Sequence, residues 1–452
     1  MKLTVRLAAL FLGMMMCLSS APAEPGALLA QVVDGYVRER DFSGVVRVTQ
    51  HGKAIFEKAY GKASLSYNID NRLDTRFGIA SISKVFVATA VLQLADAKKL
   101  ALDAPIGKVL TGLPPELAAR TARQLLDHTA GLVRESEFSP WETLTLEQHV
   151  ARIAKLAPGK PGTYDYSNSG YVLLARLVEI ASGEPYATYI ADHITARAGL
   201  KDTGFIVGFA VITNLATPYR VAPNGIESPW RARHLGIYPP GGLYSTAADL
   251  ERFLNAVESG VLLSPKRAAE MLAPHAHEGG EKFAGYGLDI TQHEGRKYIM
   301  ASGSAEGGKT VIMRDPAGDT TIVILSNFGE APVMDMLRDL VKTLQGATVA
   351  PPEPCRVAGI AAFDAVLGNY DFAGTDLARE MGGALKVALV RSGSRLFLWE
   401  DDGASLLCEK SPGILGLPST NEIALHFEQN SGKPPVMVFI QDGKESRAER
   451  GP

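Results

Sequence analysis

Three prolines in four positions, Pro351-Pro352-Glu353-Pro354, put a break in this chain that neither a helix interior nor a central strand can cross. With 452 residues to distribute, more than one core normally holds, the break is read as a linker between two folding units. Residues 24–346 form the larger unit, 347–359 the Pro-rich linker and 360–452 the smaller unit. Beyond the break, short alternating runs at 385–390, 396–399, 423–427 and 436–440, with turn signals such as Asp442-Gly443, predict a small all-β module. Ahead of it the pattern is mixed. Residues 44–50 alternate as a strand, His51-Gly52-Lys53 turns them, and 54–60 return antiparallel. Helical patterns occur around 81–90 and 125–132, after a Thr145/Gln148 capping box, over 171–181 with a stop at Gly183, and after Thr246, a cap within 241–250. Strands are expected at 286–290, 297–301, 311–314 and 320–326, and an amphipathic helix at 333–344 closes the unit. The mix of helices and antiparallel hairpins puts the larger unit in the α+β class. No internal repeat of solenoid period is present.

The first residues have an address-label pattern. A basic start with Lys2 and Arg6, an apolar run at 7–17 and Ala21-Pro22-Ala23 before Glu24 read as a cleavable secretory signal over 1–23. That run is too short to span a bilayer, and the rest of the sequence has no run long and apolar enough to do so after cleavage. The expected location is the periplasm or the medium. A formal charge of -3, with no lysine or arginine block, gives no sign of a nucleic-acid partner. In an oxidising compartment Cys355 and Cys408 could pair, which spacing cannot decide. His275 and His277 lack the acidic or cysteine company of a metal site, so no metal or cofactor is expected.

The chemistry-bearing stretch is Phe77-Gly78-Ile79-Ala80-Ser81-Ile82-Ser83-Lys84, opening a helical pattern. Ser81 and Lys84 stand three apart, on one face of a helix. A serine hydroxyl needs a neighbouring base to become a nucleophile, and a desolvated amine can be that base. The alternative is a serine that merely caps the helix. Tyr166-x-Asn168 supplies a phenol able to relay protons and an amide able to hold lysine or substrate; its alternative is a polar turn capping the next helix. His128, within 125–132, is either a base or a loop-bracing hydrogen-bond partner. Trp141, Trp230 and Tyr238 are either cleft walls or simple packing. The segment 303–310 matches the phosphate-loop pattern G-x-x-x-x-G-K-T, but residues 311–314 after it are strand-like and run into Pro316, whereas phosphate binding needs a helix there. No nucleotide partner is expected.

Ser81-x-x-Lys84, Tyr166-x-Asn168 and a strand leading into a Gly-rich stretch, in that order, resemble the serine β-lactamase and penicillin-binding protein superfamily. The text around Leu126-x-His128-Thr129-x-Gly131-Leu132, Tyr166-Ser167-Asn168-x-Gly170-Tyr171 and 241–250 is similar to its class C β-lactamase-like branch of esterases, D-aminopeptidases and carboxypeptidases. The tail from about 360 resembles the small lipocalin-like barrel appended to some members. The resemblance implies an antiparallel sheet flanked by helices, an all-helical subdomain and a site between the two, with Ser81 as nucleophile, Lys84 as its activator and Tyr166 as general acid/base. It also implies that Asn168 orients lysine and substrate, and that Ser302, Gly303 and Ser304 form the inner-strand motif. The N–H groups of Ser81 and Ser304 would make the oxyanion hole. The implied reaction is hydrolysis of a small ester, amide or peptide, β-lactams included, through an acyl-enzyme. Ala301 departs from the pattern, standing where the family carries lysine or histidine. That loss disfavours carboxylate-bearing substrates unless another residue supplies a cation, and it is the one support for the alternative, a cell-wall peptide-binding protein without turnover.

Overall fold

The computed structural model describes residues 25–134, 142–208, 210–229, 238–293, 295–305, 307–380, 385–400, 403–418, 423–429, 433–441 and 443–451. The signal segment 1–23, Trp141 and Trp230 lie outside the described residues.

An eight-stranded antiparallel sheet organises the larger unit. Its order is Ala276–Gly279, Lys282–Ala284, Asp289–His293, Arg296–Ala305, Gly308–Asp315, Thr320–Ser326, β1 (Gly44–Gln50) and β2 (Lys53–Tyr60). The β1–β2 turn places His51 at φ 51° and Gly52 at φ 70°, the left-handed pair that a tight hairpin favours. Every residue of Thr320–Ser326 is buried, because both faces of the sheet are covered. Val46, Val48, Ile322 and Ile324 pack on one face beneath α1 (Pro25–Arg40) and the Val333–Leu344 helix. Val45, Val323, Leu325 and Ile312 pack on the other, in a core shared with α2 (Ser83–Asp96) and the helical part. All but two of the fourteen residues of α2 are buried, which suits a helix that is apolar all round.

Capping chemistry places several helix starts. Thr145 accepts from Gln148 N, Ser167 from Gly170 N and Thr246 from Asp249 N. The Asn168–Ser182 helix ends at Gly183, with φ 80°. Three expectations need correction. The helix expected over 125–132 spans Ala122–Leu126, begun by a Thr121/Gln124 capping box. It stops early because the Asp127 carboxylate takes the N–H and hydroxyl of Thr129, a local turn that competes with the helix. The strand expected at 286–290 begins only at Asp289, because Gly285 N–H bonds Leu288 O and Gly287 turns at φ 78°. The strand expected at 297–301 runs on to Ala305, so 303–310 lies across a hairpin, and Gly308–Asp315 is strand where a phosphate loop would start its helix.

The smaller unit is eight consecutive antiparallel strands from Gly368–Asp371 to Lys444–Glu449, brought almost to closure by a Tyr370–Arg450 bridge. Leu389, Leu398, Leu407, Leu425, Met437 and Phe439 are among its interior. Cys355 and Cys408 are joined as a disulfide that ties the Pro-rich segment to this sheet. That segment lies against α1: Arg40 donates to Glu353 O at 2.8 Å, and a Cβ on Gly35 would come within 2.9 Å of Pro352. Outward-facing Ala388, Val390 and Phe397 enclose Val221, from a short hairpin at 220–227, at 0% exposure.

Candidate active site

Ser81 is delivered by a short, heavily braced segment. Phe77 and Gly78 pair with Ser245 and Tyr244, and Ile79 N–H bonds Leu243 O at 2.9 Å. The chain then turns at Ala80, whose φ of 45° is unusual for a residue with a Cβ and costs of order 1 kcal/mol or more. A single 3-10 turn, Ala80–Ile82, carries Ser81 into α2. Thr310 clamps the arrangement from the sheet, its hydroxyl lying 3.2 Å from Ile79 O and 3.3 Å from Gly303 O. From the opposite side the Ser83 hydroxyl accepts Leu243 N–H at 3.1 Å.

Two donors converge on the Ser81 hydroxyl. Lys84 Nζ donates to Ser81 Oγ at 3.0 Å and Tyr166 OH donates to it at 2.7 Å. Lys84 is 2% exposed and also donates to Pro240 O at 3.0 Å. Its nitrogen lies 4.8 Å from the centroid of the Tyr166 ring. His128 stacks on that ring at 4.6 Å, and its Nδ1 accepts Ser167 N–H at 3.1 Å. Burial, with the charge of Lys84 adding to it, pushes the His128 imidazole down to about 3. His128 is thus a neutral brace for the Tyr166-Ser167 segment, the structural of its two readings.

Asn168 opens its helix two residues after Tyr166, and its N–H bonds Arg134 O at 2.7 Å. Ser302, Gly303 and Ser304 lie on the Arg296–Ala305 strand beyond Met300, the last residue paired with Asp289–His293. The 3-10 turn bearing Ser81 packs beside that strand, so close that a Cβ on Gly303 would fall 2.3 Å from Ile79 O and 3.1 Å from Ala80 Cβ. Ser304 pairs with Lys309 in register, and its hydroxyl accepts from Lys309 Nζ at 2.8 Å. Ala301 is buried among Ile82, Val85, Leu250, Phe253 and Ile312 beside a void of about 10 Å³. Tyr238 is buried near the rim, its carbonyl accepting the N–H groups of Gly241 and Gly242. His275 and His277 turn to separate carbonyls, of Glu270 and Gly280.

Three contributors escaped sequence reasoning. Pro240 O and Thr310 meet Lys84 and Ile79 across separations of 156 and 231 residues, with only the Gly241-Gly242 pair as a hint of a close approach. The third is Arg134, whose guanidinium carbon lies 5.2 Å from the Tyr166 ring centroid.

The family model described as Beta-lactamase matches residues 29–345. Esterase EstB of Burkholderia gladioli is 31% identical over 292 residues, covering 55% of this chain and 74% of its own. The octameric penicillin-binding protein homologue from Pyrococcus abyssi superposes with a TM-score of 0.64 at 22% identity, over 94% of this chain and 99% of that one. The D-amino acid amidase from Ochrobactrum anthropi SV3, solved with D-phenylalanine, gives a TM-score of 0.63 at 23% identity, over 72% and 100%. At such identities the two structures speak for the fold.

Proposed function

This chain belongs to the beta-lactamase family, and from that premise we propose that it is a serine hydrolase cleaving an ester or amide bond through an acyl-enzyme on Ser81. The observation that carries the reading is the convergence of Lys84 Nζ and Tyr166 OH on one hydroxyl. In the proposed first step Ser81 Oγ bonds to the substrate carbonyl carbon and its proton passes to the Lys84–Tyr166 pair. Lys84 is buried beside that hydroxyl, so the amine of the pair is held off bulk water. The tetrahedral oxyanion sits against the backbone N–H groups of Ser81 and Ser304. When the bond to the alcohol or amine breaks, the Tyr166 phenol returns the proton to the leaving group. Water then adds to the ester on Ser81 and gives a proton to the same pair, which returns it to Ser81 Oγ as that bond breaks and the acid leaves. Asn168 orients lysine and substrate from the start of its helix.

The kinship with an esterase supports esters first, amides second. The basic-then-apolar leader over 1–23 supports action in the periplasm or the medium. No described helix is long and apolar enough to cross a membrane.

The test is hydrolysis of p-nitrophenyl butyrate by purified protein with a fluorophosphonate probe alongside. Ser81→Ala is expected to lose turnover and labelling. Tyr166→Phe should lower kcat by roughly a hundredfold or more, the usual weight of a proton-transfer group. Unlabelled wild type with no turnover would favour the binding-protein reading that Ala301 suggests; comparable turnover in Ser81→Ala would remove the mechanism.

A further inference from the structure

Between the two units lies a cavity of about 440 Å³, a size and a position that suit a small-molecule site. The barrel gives it an apolar wall through Phe397, Leu406 and Leu417, to which the larger unit adds Phe328. The remaining lining is rich in charge, and not every charge there meets its opposite. Asp41 is paired with Arg395 at 3.0 Å, and Asp335 with Arg338 at 3.0 Å. Arg40 and Lys309 have no such partner among the described residues. The Arg40 guanidinium donates to two carbonyls, Glu39 O at 2.9 Å and Glu353 O at 2.8 Å, and the Lys309 ammonium to the Ser304 hydroxyl. Burial pushes Arg40 below the usual arginine range, and the charge of Arg395 adds to that. Two acids are in the converse position. Asp339 accepts from the Tyr36 phenol at 2.8 Å and meets no cation among the described residues. Glu330 accepts Val221 N–H at 3.1 Å, while its buried Oε2 has no donor; it feels the charge of Lys309 without an ion pair forming between them. Tyr36 and Arg40 are one turn apart on α1, which puts the unanswered guanidinium and the Asp339 carboxylate on one stretch of wall.

We propose that this seam cavity is a second ligand site, one that takes a small zwitterion with an apolar side group, of the free amino-acid class. The ligand's carboxylate meets Arg40, its ammonium meets Asp339, and its side group lies against Phe328, Phe397 and Leu406. The proposal goes beyond the serine-hydrolase reading and does not depend on it. A zwitterion suits the lining better than an ion of one sign. An anion alone would leave Asp339 and Glu330 facing a like charge, and a cation alone would do the same to Arg40 and Lys309, with little water between to screen them. Guanidinium in particular grips a carboxylate through two parallel hydrogen bonds.

The test is calorimetric titration of the purified protein with tryptophan, each enantiomer in turn, and with indole-3-propionate and tryptamine. The three share a ring and differ in their charged ends, and none has an ester or amide bond to be cleaved. Tryptophan should bind about tenfold or more tighter than either analogue, the weight of one charge-assisted hydrogen bond. Asp339→Asn keeps an acceptor for Tyr36; it should weaken tryptophan and tryptamine about tenfold and leave indole-3-propionate unchanged. Arg40→Gln should weaken tryptophan and indole-3-propionate and leave tryptamine unchanged. Ser405 is an exposed barrel residue on the cavity wall, and Ser405→Trp should abolish binding by filling the space. The proposal is overturned by no saturable binding of either enantiomer at millimolar concentration, by a single-charge analogue that binds as tightly, or by affinities that the two charge variants do not move. Binding that survives in a folded Ser405→Trp protein overturns it too, because the ligand then sits elsewhere.

Discussion

Lys84 and His128 are neighbouring buried bases with opposite assignments. One donates to the Ser81 hydroxyl and to a carbonyl; the other is spent on a backbone N–H and a ring stack. The second assignment has a pH signature. An unfolded histidine protonates near 6.5, whereas folded His128 holds out to about 3. Between those values acid adds a proton to the unfolded chain alone, so this contribution to stability is complete above about pH 6.5 and shrinks as pH falls. The slope is about 1.4 kcal/mol per pH unit at most. Urea unfolding of wild type and His128→Asn at pH 7, 6 and 5 should give a flatter acid limb in the variant, and parallel limbs would refute the assignment. At this scale sequence spacing went a long way. Ser81, Lys84 and Tyr166 were legible because three-residue separation and a sole Tyr-x-Asn confine them. Arg134 was not, because a loop arginine carries no periodicity and gains its meaning only from the ring beneath it.

Among the elements, the hairpin of Arg296–Ala305 and Gly308–Asp315 does most to shape the site. Its glycines look like loop residues in sequence, which is why the first strand was expected to end at 301. In the fold Gly303 is instead a place where a strand passes under the turn carrying Ser81, with no room for a methyl. Gly303→Ala must displace either Ile79 or the strand. Overpacking of this kind costs about 1–3 kcal/mol, and a shift of about 1 Å at Ser81 lowers kcat roughly a hundredfold. Thermal unfolding together with ester turnover checks this, and an active variant of wild-type stability would contradict the close packing. Capping residues were the most readable elements, since Thr145 and Thr246 act through neighbours three positions away. Helix and strand ends set by local side-chain and backbone turns, at Asp127 and Gly287, were not.

For the whole molecule, the alternation in 385–399 foretold two-sided strands but not what the outer side meets. Ala388, Val390 and Phe397 close over Val221, and Arg395 joins the units by bonding Asp41, Cys355 O and Arg38 O. A linker read from proline content alone suggests independence; the structure instead holds it against α1. Val221→Asp would bury an unpaired carboxylate in this seam, at a cost of several kcal/mol. The expected result is faster proteolytic cleavage within 347–359 with both fragments still folded, while wild-type cleavage rates would show that the seam contributes little.

The hairpin that bears Val221 is also wired inward. Tyr219 N–H bonds Gly307 O at 3.2 Å, at the tip of the hairpin that carries Ser304, and a Cβ on Gly307, itself at φ 82°, would strike Tyr219 N at 2.8 Å. Anyone transplanting the larger unit onto a new partner inherits this linkage. A chimaera that keeps residues 25–346 but discards the tail needs a substitute cover for Val221, or the cut made at the linker will be felt at the serine.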